Sequence, residues 1–132
     1  MIWKKRNLVL GTAVNYDFED MALFVSTLRR VGYEGEIALL VNQVDRWTRR
    51  AFQHHRVTAV RTGALFPVEL DGAGAHPQNA RIPDRLHLND VRFYYYRKFL
   101  LSNPGAYNRI LLADVRDVFF QSDPFTLDYD PE

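Results

Sequence analysis

Cysteine is absent from this chain of 132 residues, and its absence excludes a disulfide scaffold, a zinc–thiolate site and a cysteine nucleophile. Neither sign of charge is in excess, because 17 Lys and Arg face 16 Asp and Glu for a net charge of +1. Such a balance gives no electrostatic reason to expect a nucleic-acid partner or an anionic membrane surface.

Long apolar runs are also missing, since no stretch approaches the ~20 residues that a transmembrane helix needs. The basic start is followed by an apolar run, Leu8–Leu10, that is too short for a secretory signal peptide. We therefore expect a cytoplasmic protein without a transmembrane segment. The length and the 47% hydrophobic content predict one globular domain over residues 1–132.

The beginning of the chain has the pattern of a strand followed by a helix. Asn7–Val14 is a short apolar run without helical period, which fits a buried parallel strand. Asp17 then predicts the start of a helix as its N-cap. Arg29 and Arg30 suit the last turn of that helix, and Gly32 predicts its end.

The same alternation continues in the next thirty residues of the chain. Ile37–Val41 and Val57–Arg61 have the composition of strands, and Asp45 predicts the start of an intervening helix that ends near Arg56. Strand, helix, strand, helix, strand is the order of an α/β protein. It predicts a mainly parallel sheet with helices on both faces, in a three-layer α/β/α architecture.

An irregular segment, Gly63–Leu88, interrupts this order with several Gly and Pro residues and no clear period. Long segments of this kind in compact domains are usually functional or mobile, so we expect this one to be mobile without ligand and more ordered with it. Asn89–Ser102 then has the pattern of a helix. Its aromatic run, Phe93–Tyr96, predicts burial on more than one side.

The segment with the clearest chemical meaning begins at Ile110–Ala113, which we interpret as a buried strand, and continues into Asp114 and Asp117. Ligands of open α/β sheets lie outside the carboxyl ends of the strands. Two carboxylates there can share a hard divalent cation that neutralises a diphosphate. The alternative is that both aspartates form a turn, with one of them paired to Arg116.

Two segments resemble a known family. The run from Arg109 to Phe125 resembles the metal-binding signature of GT-A glycosyltransferases, in which Asp-x-Asp follows a strand and an apolar segment leads to Asp-Pro-Phe or Asp-Pro-Leu. Leu10–Tyr16 is similar to the first strand and loop of retaining galactosyltransferases and glycogenin-like enzymes. The resemblance implies a Rossmann-like fold of the nucleotide-diphospho-sugar transferase type.

The resemblance also implies ligands and the residues that hold them. It implies a nucleoside-diphosphate sugar as donor, an unknown acceptor, and Mn²⁺ or Mg²⁺ bound by Asp114 and Asp117. Tyr16 is expected to stack on the base, and Arg92 matches a basic residue that the family places near the phosphates. The full set of implied nucleotide-binding residues is Thr12, Asn15, Tyr16, Arg92, Asp114 and Arg116.

The sequence departs from the family in two ways. Arg116 lies inside the motif and moves the carboxylates one residue further apart, so Arg116 itself is an alternative neutraliser of the diphosphate without a metal. GT-A domains are also usually longer, and their later half carries the acceptor site. We therefore expect a donor-binding half whose acceptor half is missing or lies on a second chain.

Two other functions fit the sequence. The first is a non-catalytic nucleotide-binding module or an inactive fragment of a glycosyltransferase. The second is a metal-dependent phosphohydrolase with Asp114 as nucleophile, for which a second carboxylate is expected at the position of Arg116.

Overall fold

The computed structural model describes residues 5–62 and 88–126. Strands and helices alternate along them, and a 3-10 turn, Pro124–Thr126, lies near the end. In chain order the elements are β1 (Arg6–Thr12), α1 (Phe18–Arg30), β2 (Glu36–Val41), α2 (Arg46–His55), β3 (Val57–Arg61), α3 (Leu88–Leu101) and β4 (Tyr107–Ala113).

The strands form one four-stranded sheet in the order β3-β2-β1-β4, and every neighbouring pair is parallel. β1 is central, so that Leu10 pairs with Ala38 of β2 on one side and with Leu112 of β4 on the other. The predicted α/β fold with a parallel sheet is confirmed, and the arrangement is Rossmann-like.

α1 begins and ends as the sequence predicts. Asp17 forms a reciprocal capping box with Asp20, in which each side chain accepts a hydrogen bond from the other residue's backbone N–H. Arg29 and Arg30 lie in the last turn. Gly32 follows at φ 95°, a conformation that glycine adopts without strain and that ends the helix.

α2 also begins at its predicted cap, where the Asp45 carboxylate accepts a 2.7 Å hydrogen bond from the Thr48 backbone N–H. Arg56 ends the helix in the left-handed region, with φ 58°. The next residue, Val57, begins β3. This abrupt ending explains how helix and strand follow each other with one residue between them.

Helices cover both faces of the sheet and make three layers. On one face, α1 and α2 bury a core with alternate residues of β1 and β2. On the other face, α3 packs on the intervening strand residues. The fully buried side chains of the sheet are Leu8, Val9, Leu10, Ile37, Ala38, Leu39 and Leu40, with Val41 nearly so.

Two predictions about burial were wrong. β4 is not a buried strand, because it lies at the edge of the described sheet and Ile110 and Leu112 are 43% and 44% exposed. α3 is not buried on more than one side, because Tyr95 and Tyr96 face the sheet while Phe93 is 49% exposed. Both differences have one cause: α3 packs over β1 and β2 and leaves β4 partly uncovered.

The boundaries of several elements differ from the predicted ones by a few residues. β1 ends at Thr12 rather than Val14, and β4 begins at Tyr107 rather than Ile110. The predicted irregular segment lies outside the described residues, except for Leu88, which begins α3. Within the described part of the chain, none of the helices has the length and apolar content to cross a membrane.

Candidate functional site

The carboxyl ends of β1 and β4 lie side by side because the two strands are parallel neighbours. The loops that leave them enclose a cavity of about 260 Å³ at this edge of the sheet. Ligands of parallel α/β sheets lie at this position. The cavity is lined by Thr12, Tyr16, Arg92, Asp114, Val115, Arg116 and Asp117.

The structure thus brings together six of the seven residues that the sequence indicated for nucleotide or metal. Asn15 is the exception, since it does not line the cavity. Its backbone N–H donates to the Asn42 amide oxygen at 2.9 Å, and the Asn42 amide donates back to the Asn15 amide oxygen at 2.7 Å. Asn15 therefore fixes the loop that carries Tyr16, in a left-handed conformation with φ 64°.

The acidic turn is anchored to the sheet through Val115. Its side chain is 3% exposed and belongs to the core shared with α1. Gly11 of β1 makes room for it, because a Cβ at that position would collide with Val115 Cγ2. With Val115 held inward, the flanking residues Asp114 and Arg116 remain exposed at the cavity.

Arg92 and Asp114 form a short ion pair inside this site, with Nη1 and Oδ1 2.7 Å apart. The Arg92 side chain is 22% exposed and the Asp114 side chain 72%. The Arg92 guanidinium also lies over the Phe93 ring, 5.0 Å from its centroid. The arginine is thus held in place by its surroundings, whereas the carboxylate projects into solvent.

Arg116 contacts the aromatic wall of the cavity. Its guanidinium carbon lies 5.9 Å from the centroid of the Tyr16 ring, within the range of a cation–π contact. Arg116 therefore lies on one face of the Tyr16 ring, the residue that the sequence indicated for base stacking.

Thr12 is tied to α3 by a residue that the sequence did not indicate. Its hydroxyl lies 2.7 Å from the Tyr96 hydroxyl in a buried hydrogen bond. Burial raises the pKa of the Tyr96 phenol, while the Thr12 hydrogen bond opposes that shift. Tyr96 reads in the sequence as an ordinary core aromatic. Asn42 did have a signal, as a polar residue directly after the buried strand β2.

The donor atoms of the site suit a cation that is shared with a ligand. Asp114 and Asp117 supply carboxylate oxygens, which hard cations such as Mg²⁺ and Mn²⁺ prefer. Among residues 5–62 and 88–126, no group of three or more His, Cys, Asp or Glu side chains is placed to hold a metal. Mg²⁺ commonly binds through one or two carboxylates plus phosphate oxygens, so these two residues fit that mode.

The fold and the site define an α/β protein with a charged cavity at the strand ends. The chain matches no protein-family model, and neither a curated protein nor a solved structure is significantly similar to it. No family is identified by these comparisons. The likeness to GT-A enzymes therefore depends on the two sequence motifs, and its functional content belongs to the proposal that follows.

Proposed function

We propose that this domain binds a nucleoside-diphosphate sugar at the carboxyl ends of β1 and β4 and, with Mg²⁺ or Mn²⁺, transfers the sugar to an acceptor. The observation that carries the proposal is the single cavity in which Tyr16, two arginines and two aspartates meet. An aromatic ring for a base and charges for a diphosphate lie within one opening, which is the combination that a nucleoside diphosphate needs.

We assign different parts of the donor to different walls of the cavity. Tyr16 stacks on the base with the ring face that Arg116 does not cover. Arg116 and Arg92 then bind phosphate oxygens, for which the planar guanidinium gives paired hydrogen bonds. Asp114 and Asp117 would hold the cation, which would neutralise charge on the diphosphate.

Two groups neutralise charge in the proposed reaction. When bound, the cation acts as a Lewis acid that stabilises the negative charge on the departing nucleoside diphosphate. Arg92 and Arg116 orient the diphosphate and share that charge. The described residues contain no group that we assign to the attack on the sugar, so the proposal ends at donor binding and leaving-group stabilisation.

Calorimetry with uridine, guanosine and adenosine diphosphates, each with Mn²⁺ or Mg²⁺, tests the donor site. We expect binding of at least one nucleotide and a raised melting temperature, since a ligand selective for the folded state stabilises it. Tyr16→Ala should weaken that binding, whereas Trp47→Ala removes a 71% exposed aromatic side chain of α2 and should not.

Other results would reject the proposed site or the proposed activity. No heat and no thermal shift with any nucleotide, or equal affinities of Tyr16→Ala and Trp47→Ala for nucleotide, rejects the proposed site. Sugar release or transfer from the matching nucleotide sugar then separates an enzyme from a non-catalytic binding module. Phosphate release from simple phosphate esters indicates the phosphohydrolase instead.

A further inference from the structure

Arg92 and Asp114, which we assign to the two proposed ligands, form an ion pair with each other in the structure. Asp114 is assigned to the cation and Arg92 to the diphosphate, yet they form an ion pair 2.7 Å long. We propose that this ion pair is a lock that weakens the binding of a free diphosphate and of a free cation, and opens when the two bind together. The inference rests on the proposed function for the identity of both ligands.

The charges that line the cavity support the lock. They are Arg92 and Arg116 on the positive side and Asp114 and Asp117 on the negative side, so the described lining is electrically balanced. A lone diphosphate meets two carboxylates, and a lone divalent cation meets two guanidinium groups. A complex of cation and diphosphate presents both signs and meets a partner for each.

The affinities for the cation and for the diphosphate are coupled because both ligands compete with the same ion pair. A diphosphate that takes Arg92 breaks the ion pair, and a cation that takes Asp114 breaks it as well. When both ligands bind together, the pair is broken once for the two of them instead of once for each. Coupling between two ligands is reciprocal, so each ligand raises the affinity for the other by the same factor.

The exposure of Asp114 and the packing of Arg92 allow this ion pair to open. Asp114 is 72% exposed, so a cation reaches it without rearrangement of the fold. Arg92 is 22% exposed and lies over Phe93, so its guanidinium stays at the cavity when the aspartate turns away. Because Asp114 is largely exposed, solvent screens the ion pair, and a ligand of higher charge can displace it.

The site also contains matched controls. Asp117 lines the same cavity with the same charge as Asp114, but forms no ion pair with a residue in the described ranges. Arg116 has the same charge as Arg92 and lies against Tyr16 instead of a carboxylate. Removing Asp117 or Arg116 changes the charge of the cavity without breaking the lock.

The first experiment measures inorganic pyrophosphate binding by calorimetry in the presence of chelator. Asp114→Asn removes the ion pair with Arg92, so we expect it to bind pyrophosphate about two- to fivefold more tightly than Asp117→Asn. Both variants remove one negative charge from the same cavity, so the change in net charge is matched between them. Far-UV circular dichroism first verifies that each variant is folded.

The second experiment measures the binding of Mn²⁺ alone by electron paramagnetic resonance. Arg92→Gln releases Asp114, so we expect it to bind Mn²⁺ about two- to fivefold more tightly than Arg116→Gln. Arg92→Met serves as a second variant, because it retains an unbranched side chain beside Phe93. A direct bridge between cation and phosphate, without a lock, predicts no difference within either pair of variants.

The outcomes separate this inference from the proposed function. Equal affinities within the two pairs, or a gain in one experiment only, overturn the lock even when wild type binds a nucleoside diphosphate with Mn²⁺. Gains in both experiments, with no preference of wild type for a nucleotide over pyrophosphate, support the lock and reject the proposed function. Absence of any binding to every variant overturns both.

Discussion

Thr12 and Tyr96 are joined by a buried hydrogen bond, with 2.7 Å between their hydroxyl oxygens. The bond fastens the carboxyl end of β1 to α3, two elements that both contribute to the cavity. Burial raises the pKa of the Tyr96 phenol above its ordinary value, and either of the two hydroxyl groups can be the donor. The position of Thr12 at the site is therefore set by α3, the helix that also contributes Arg92 to the cavity.

Tyr96→Phe removes this hydrogen bond and leaves the ring in place. We expect the free energy of unfolding to fall by about 0.5–1.5 kcal/mol, the usual net contribution of such a bond. Urea denaturation measures it. Tyr94→Phe is the control, because Tyr94 is 38% exposed on the same helix and its hydroxyl change should have little effect. Equal losses for the two variants would show that the Thr12 contact is not stabilising.

Gly11→Ala tests the close approach of the acidic turn to β1. The added Cβ collides with Val115 Cγ2 and lies 3.0 Å from the Ala113 carbonyl oxygen, so we expect a loss of about 1–3 kcal/mol from overpacking. Val115→Ala in the same chain should restore part of that loss. Only part is restored because the backbone contact with Ala113 remains. Strict additivity of the two substitutions in urea denaturation would contradict this account.

Asn15 offers a test of backbone conformation in the loop that carries Tyr16. Asn15→Gly and Asn15→Ala both lose the hydrogen bond that the Asn42 amide donates to the Asn15 amide oxygen, and both keep the backbone N–H that donates to Asn42. The difference in stability between the two variants therefore reports on the backbone conformation alone. At φ 64° the alanine variant should be less stable than the glycine variant by about 1 kcal/mol. Thermal or urea unfolding compares them. An alanine variant as stable as the glycine variant would mean that the loop relaxes out of this conformation.

His55 gives the protein a dependence on mildly acidic pH. Its pKa is lowered by burial, and then by the nearby charges of His54 and Arg29. The folded state therefore binds this proton less tightly than the unfolded state. Its contribution to stability is full above the unfolded pKa of about 6.5 and is lost as the pH falls through the lowered folded value.

We expect the free energy of unfolding to decrease between about pH 7 and pH 5, across the usual histidine range. His55→Phe should reduce this decrease, because phenylalanine keeps a ring against Phe18 and cannot be protonated. Urea denaturation at several pH values measures both proteins. The same slope in wild type and variant would assign the pH dependence to other groups.

Local chemistry made most of the fold predictable from the sequence. Asp17 and Asp45 are capping residues whose effect is decided within one helical turn, and Gly32 ends α1 for a reason that concerns its own backbone. The alternation of elements then required a parallel sheet. Burial of β4 was not predictable in the same way, because it depends on where α3 packs.

The candidate site was predictable to the extent that it follows strands. Asp114 and Asp117 come after β4 and Thr12 ends β1, so the sheet brings them to one edge. The contact between Arg92 and Asp114 and that between Thr12 and Tyr96 join residues distant in the chain. Which side chains meet there depends on the packing angle and register of α3, and no local pattern encodes either.

The cavity is built on two strands that differ in how tightly they are held. β1 is hydrogen-bonded to a strand on each side and its Leu8, Val9 and Leu10 side chains are fully buried. β4 has one partner among the described strands and half-exposed side chains. Amide hydrogens should therefore exchange slowly along β1 and quickly along the outer side of β4. Local opening of β4 would separate Asp114 from Thr12, so a ligand that contacts both strands would be expected to slow amide exchange along β4 as well.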